Sequence, residues 1–218
     1  MENLSNQLLL YSLDEIKKHQ SKQKNMKQLK FLFAASLVAF FCSSCGYNKM
    51  VELQESTNKQ WANVQSSYQR RADLIPNLVN TVKGQADFER GTLEAVVNAR
   101  AKATSIQVNA NDLSPEKIKQ FQQAQGELSQ ALGKLLMITE NYPTLQANQA
   151  FMELQSQLEG TENRINVERN KFNEIVGEYN AYIRSIPQNI FAGWFGFTKK
   201  GYFEATTPGA DKAPTVKF

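Results

Sequence analysis

Between Ala147 and Ile186 the chain places Phe151, Leu154, Leu158, Ile165, Phe172, Ile175, Tyr179 and Ile183 at steps of three, four or seven, with no proline before Pro187. Such steps put one apolar stripe along a helix; a strand alternates its faces at every second residue. A second long run, from Tyr47 to Ala86, carries Trp61, Val64, Tyr68, Ile75, Leu78 (or Val79) and Val82 along one side, with Pro76 inside it to kink it or remove one backbone hydrogen bond. Helices of this length extend to roughly 60 Å at 1.5 Å per residue.

Two shorter helices are expected between them. One covers about 88–105, with Asp87 as its cap, and carries Leu93, Val96, Val97 and Arg100. After a polar link, Ile106–Leu113, Ser114-Pro115-Glu116 supplies a capping hydroxyl, a proline at the first helical position and an early acid. Ile118, Phe121, Leu128, Leu132 and Leu135 follow to about Thr139, where Asn141-Tyr142-Pro143 stops the helix. The expected fold is therefore all-α: an elongated antiparallel up-and-down four-helix bundle, two long outer helices with a shorter inner pair. The Thr/Pro/Gly/Lys tail at 205–218 is read as disordered.

Charge narrows the partners. Of 25 basic and 21 acidic residues, six lysines and three acids lie in residues 1–45, leaving 19 against 18 after Cys45. A nearly neutral domain has no basic stripe for a phosphate backbone, so no nucleic-acid partner is expected. His19 is the only histidine, and no cysteine follows Cys45. That removes common zinc sites, Ser-His and Cys-His pairs and histidine acid–base chemistry, so no cofactor, metal or catalytic residue is assigned.

The basic residues of the leader form an export signal. Lys27 and Lys30 precede the apolar Phe31–Phe41 stretch, and Cys42-Ser43-Ser44-Cys45 follows. An 11-residue apolar stretch suits a signal peptide, whereas a spanning helix needs about 20 apolar residues. Cys42 follows bulky Phe40-Phe41, while Cys45 follows two serines, so Cys45 is the expected lipidation site of a lipoprotein-type leader at 26–44. An uncleaved membrane anchor and a soluble secreted form are the alternatives. A redox or metal reading of Cys42-x-x-Cys45 lacks a second ligand pair. Residues 1–25 precede a complete signal peptide and are read as a mis-assigned start or an extension. The expected address is the cell membrane, with a lipid anchor and the domain on the extracytoplasmic, periplasmic side.

Several blocks carry a family resemblance. Arg70-Arg71-Ala72-Asp73-Leu74-Ile75-Pro76-Asn77-Leu78-Val79, together with Tyr47-Asn48, Trp61-Ala62, Thr81-Val82-Lys83-Gly84, Tyr142-Pro143, Thr161-Glu162-Asn163-Arg164-Ile165, Tyr179-Asn180 and Tyr202-Phe203-Glu204, resembles the LemA family of bacterial membrane proteins across about 46–204, within a helical domain expected over 45–204. The resemblance implies a membrane-attached helical bundle with no known enzymatic activity. Two features depart from it. A lipobox-like leader stands where similar proteins often keep a transmembrane helix, and Phe88-Glu89 stands where the family often has His-Glu.

Three groups have two readings each. Arg70, Arg71, Asp73, Glu162 and Arg164 form either a functional polar constellation or an interhelical network that sets register. Trp194, Phe195, Phe197, Lys199 and Lys200 form either a membrane or partner patch, or aromatic packing over the bundle end. Gly126 and Gly133 either permit close helix contact or are merely tolerated, and Glu89 and Glu94 read as solvated face. The leading functional expectation is a non-enzymatic, membrane-tethered scaffold or adaptor binding envelope proteins that the residues do not identify. An enzyme or enzyme subunit using Arg/Asp/Glu groups and a self-associating envelope protein are the alternatives.

Overall fold

The computed structural model describes residues 46–84 and 88–204. The chain divides into two compact units, Met1–Lys49 and Met50–Phe218. Of the first, residues 46–49 are described and are helical. Cys45, the leader, Asp87 and the tail at 205–218 lie outside the described residues.

All regular structure among the described residues is helical. In the second unit α1 covers residues 50–83 and stays helical through Pro76. It is followed by α2 (Arg90–Ser105), α3 (Pro115–Thr139), the single turn α4 (Pro143–Gln146), α5 (Gln149–Arg184) and α6 (Gln188–Phe195). No described helix is long and apolar enough to cross a membrane.

Local sequence accounts for the boundaries. Asn148 opens α5 by accepting hydrogen bonds from the N–H groups of Ala150 and Phe151, at 3.0 and 3.2 Å. Pro115 occupies the first turn of α3, but Ser114 caps only through position; its side chain makes no cap bond, and its backbone oxygen takes the Ile118 N–H. Gly196 ends α6 in the left-handed region, φ 75°, while the Phe197 N–H reaches back to Ala192 O at 2.9 Å.

The helices alternate in direction. On α1 and α5, Met50 and Leu53 share a cluster with Tyr179 and Ile183, Gln60 bonds Glu168, and Arg71 bonds Glu162, so rising numbers meet falling ones. On α1 and α2, Arg100 Nε donates to Ala72 O, and on α2 and α3 Lys102 pairs with Glu127. Three apolar clusters lie along the unit. The first joins Ile75, Leu78 and Val82 to Val96, Leu135 and Phe151; the second centres on Trp61, Phe121 and Phe172; the third holds Met50, Tyr179 and Ala192. Burying a side chain of this size contributes about 1.5–3 kcal/mol.

Three expectations need correction, and one open alternative is decided. Val97 is 49% exposed, because Leu93 and Val96 already fill the inner face of α2. Ile175 is half-buried, and its neighbour Val176 is the core residue. The link before α3 is not merely polar, since Val108 and Leu113 are buried and Val108 O accepts from both Trp61 Nε1 and Gln65 Nε2. A Cβ on Gly126 or Gly133 would meet nothing within 4 Å, so neither glycine provides a close helix approach.

Candidate functional site

Arg71 sits 2% exposed in the middle of the unit, among three helices. Its Nη1 donates to Glu162 Oε2 on α5 and to Ser129 Oγ on α3, both at 2.8 Å. Its Nη2 donates to the Gln125 side-chain oxygen at 2.8 Å and to the Gln125 backbone oxygen at 3.3 Å. The guanidinium also lies 5.1 Å from the Tyr68 ring centre, a cation–π distance. Nε is buried without a hydrogen-bond partner. Gln125 is itself fixed, because its amide nitrogen donates to Ala103 O on α2. One arginine thus ties four helices together.

Of the five residues grouped from the sequence, the fold joins Arg71 and Glu162. Arg70, Asp73 and Arg164 are exposed, and Asp73 accepts from Gln69 on its own helix at 2.7 Å. Beside Arg71 opens a cleft of about 340 Å³ bordered by Tyr68, Ser129, Glu162 and Arg169. Glu162 is the carboxylate on that border, so the cleft is not the pair of acids that acid–base hydrolysis needs. Burial pushes the Tyr68 hydroxyl above the usual phenol range, with the charges of Arg169 and Arg71 opposing the rise. Among the described residues no group of His, Cys, Asp or Glu is placed to hold a metal.

A second constellation involves residues that sequence reasoning did not group. After α6 the chain runs back over the bundle as a strap, residues 198–204, without regular secondary structure. Asn180 accepts from the Lys200 N–H and donates to the Lys200 carbonyl, both at 2.9 Å. Asn173 does the same for Phe203 at 2.9 and 2.8 Å, and Gln122 for Glu204 at 3.0 and 2.9 Å. The Gly201 N–H donates to Leu113 O at 2.8 Å. Asn173 and Asn180 lie seven apart, one step beyond the buried Phe172 and Tyr179. Paired asparagines beside a core stripe, where helix propensity is poor, were the available signal.

The aromatic segment divides. Ile186, Ile190, Trp194 and Phe195 are 85%, 52%, 76% and 57% exposed, while Ala192 is buried against the third cluster. Phe197 is half-buried and packs on that cluster, and Lys199 is exposed. Lys200 does not belong to a surface patch. It is 6% exposed with its ammonium 5.4 Å from the Tyr179 ring centre, and burial lowers its pKa while Glu55 opposes the shift.

These features define a protein whose regular structure, among the described residues, is all helical and whose buried Arg71 and Gln125 join separate helices. The LemA family profile matches residues 60–218, and the chain belongs to the LemA family. Among its relatives, magnetosome protein MamQ 2 of Paramagnetospirillum magneticum is 27% identical over 194 residues, covering 80% of this chain and 71% of the relative. MamQ of Magnetospirillum gryphiswaldense is likewise 27% identical, with the same coverage. Protein LemA of Metamycoplasma hominis is 21% identical over 159 residues, covering 73% and 69%.

Proposed function

We propose that this protein is a non-enzymatic, membrane-tethered helical scaffold or adaptor of the bacterial cell envelope. It is held by an acyl chain on Cys45 with the bundle on the periplasmic side, and α6 rests on the same surface. Family membership supports the membrane association. The observation that carries the reading is the outward apolar face of α6, where Ile190 and Trp194 stand one turn apart and exposed. That helix packs through Ala192 against Met50 at the start of α1, and Met50 follows Cys45 by five positions in the sequence. Trp194 suits the interfacial zone, where its ring is buried and its N–H stays wet. Exposed Lys199 adds about 1 kcal/mol of attraction to an anionic surface.

The polar interior supports a structural role. The Nη1 and Nη2 groups of Arg71 donate to Glu162, Ser129 and Gln125, all within the fold. The test is mass spectrometry of the mature N-terminus from native membranes. An acylated peptide beginning at Cys45, lost in Cys45→Ala, is expected. A mature protein that retains Met26–Phe41 overturns the lipid anchor.

A further inference from the structure

The strap occupies its groove as a bound peptide occupies a receptor. Three side-chain amides, Gln122, Asn173 and Asn180, each satisfy the N–H and the C=O of one strap residue, as a neighbouring strand would. Backbone is therefore read at Lys200, Phe203 and Glu204. Sequence is read at two points. Gly201 lies so close to the start of α3 that a Cβ there would stand 2.7 Å from Pro115 Cα and 3.1 Å from Pro115 N, both backbone atoms that cannot move aside cheaply. Phe203, 4% exposed, enters a box made by Trp61, Phe172 and Phe121, with ring centres 6.1, 5.5 and 6.4 Å away, and the Arg169 guanidinium lies 5.0 Å from its ring. Between them Tyr202 faces solvent, 42% exposed. The groove selects an extended chain with glycine, any residue, then phenylalanine.

We propose that this groove is a peptide-recognition site, that the strap is its ligand supplied in cis, and that the partner it takes in trans is the 199–204 segment of a second copy. The groove's two selective points match this chain's own sequence. Reciprocal exchange breaks and remakes the same contacts, so its main costs are association entropy and a changed turn at the joint. Gly196, the positive-φ residue between α6 and the strap, supplies a joint where the direction of the chain can change. The inference does not depend on the lipid anchor.

The test uses full-length chains and a fluorescent synthetic peptide of residues 199–204. In the wild type the cis strap competes, so the peptide binds weakly. In Gly201→Ala the strap is displaced at Pro115, and the peptide is expected to bind about tenfold tighter or more. A peptide carrying the same alanine binds neither chain. Differently tagged wild-type copies incubated together at high concentration are expected to co-purify, and Gly201→Ala copies are not. A folded Gly201→Ala chain that ignores the peptide, an alanine peptide that binds as well as the natural one, or tagged wild-type copies that never exchange overturns the proposal. Should Gly201→Ala fail to fold, a wild-type chain with a protease site inserted between the exposed Thr198 and Lys199 takes its place after cleavage. Displacement of the severed strap by the peptide is then expected; retention against excess peptide, or collapse of the bundle on cleavage, overturns it.

Discussion

Arg71 and Glu162 meet at 2.8 Å although 91 positions separate them, and the two sides of the pair differ in environment: the Arg71 side chain is 2% exposed and that of Glu162 46%. The buried partner is the one that depends on the other. Removing the carboxylate with Glu162→Ala leaves a buried guanidinium with only neutral acceptors and costs about 2 kcal/mol. Adding Arg71→Met to that background recovers part of the loss, because the stranded charge is gone. Urea midpoints of the two single variants and the double variant check this; strictly additive costs would separate the two residues.

Trp61 donates a hydrogen bond to Val108 O at 3.1 Å and is completely buried in the second cluster. Gln65 also serves that carbonyl, so Trp61→Phe costs about 1 kcal/mol, mainly for the lost bond. Trp61→Ala opens a cavity and costs about 3–5 kcal/mol. Thermal unfolding that ranks the two variants together would contradict a packed aromatic centre.

Gly126 and Gly133 lie inside α3 with open space where a side chain would go. Replacing either with alanine removes the conformational cost of glycine in a helix and stabilises by about 0.5–1 kcal/mol. A loss of stability in calorimetry would revive the close-contact reading.

Much of this architecture was legible because helical periodicity reports burial directly. Trp61, Ile75, Leu135, Phe151 and Phe172 were all readable from spacing, and all are 1% exposed or less. Polar partners were harder to see. Arg71 and Glu162 stood inside recognisable blocks, but Ser129 and Gln125 carry no local mark, since only the fold brings α3 between α1 and α5. The strap, signalled only by the spacing of Asn173 and Asn180, was hidden for the same reason. Its bonds come from single amides on two helices, and no period in residues 198–204 announces them. Lys200 misled because lysine after an aromatic run reads as surface, whereas here the Tyr179 ring and the Asn180 amide draw the strap inward.

Tyr179 gives the stability a pH dependence. Burial pushes its hydroxyl from 10.0 up to about 12. Unfolded tyrosine releases its proton near pH 10, while the folded group holds it, so the folded state binds more protons between those values. The contribution is fully present below pH 10 and is lost as pH rises through about 12. Lys200 acts with the opposite sign: burial lowers its folded pKa below the ordinary 10.5, so its penalty is relieved as pH rises toward that value. Tyr179→Phe loses the bond to Thr198 O, made at 3.0 Å, and is less stable near neutral pH by about 1 kcal/mol. Above about pH 10 the difference narrows. Urea unfolding across that range checks it; a constant gap would mean that Tyr179 titrates normally.

The most direct test of the membrane reading is the environment of Trp194 in the acylated full-length protein on anionic vesicles. Emission is compared with Trp194→Phe, which leaves only the buried Trp61, and quenching by brominated lipids is compared with quenching by aqueous acrylamide. The predicted result is a blue-shifted Trp194 component quenched by brominated lipid and protected from acrylamide, both effects weakening at high salt. A Trp194 that remains open to acrylamide and untouched by brominated lipid would show that α6 faces water, contradicting its placement on the membrane.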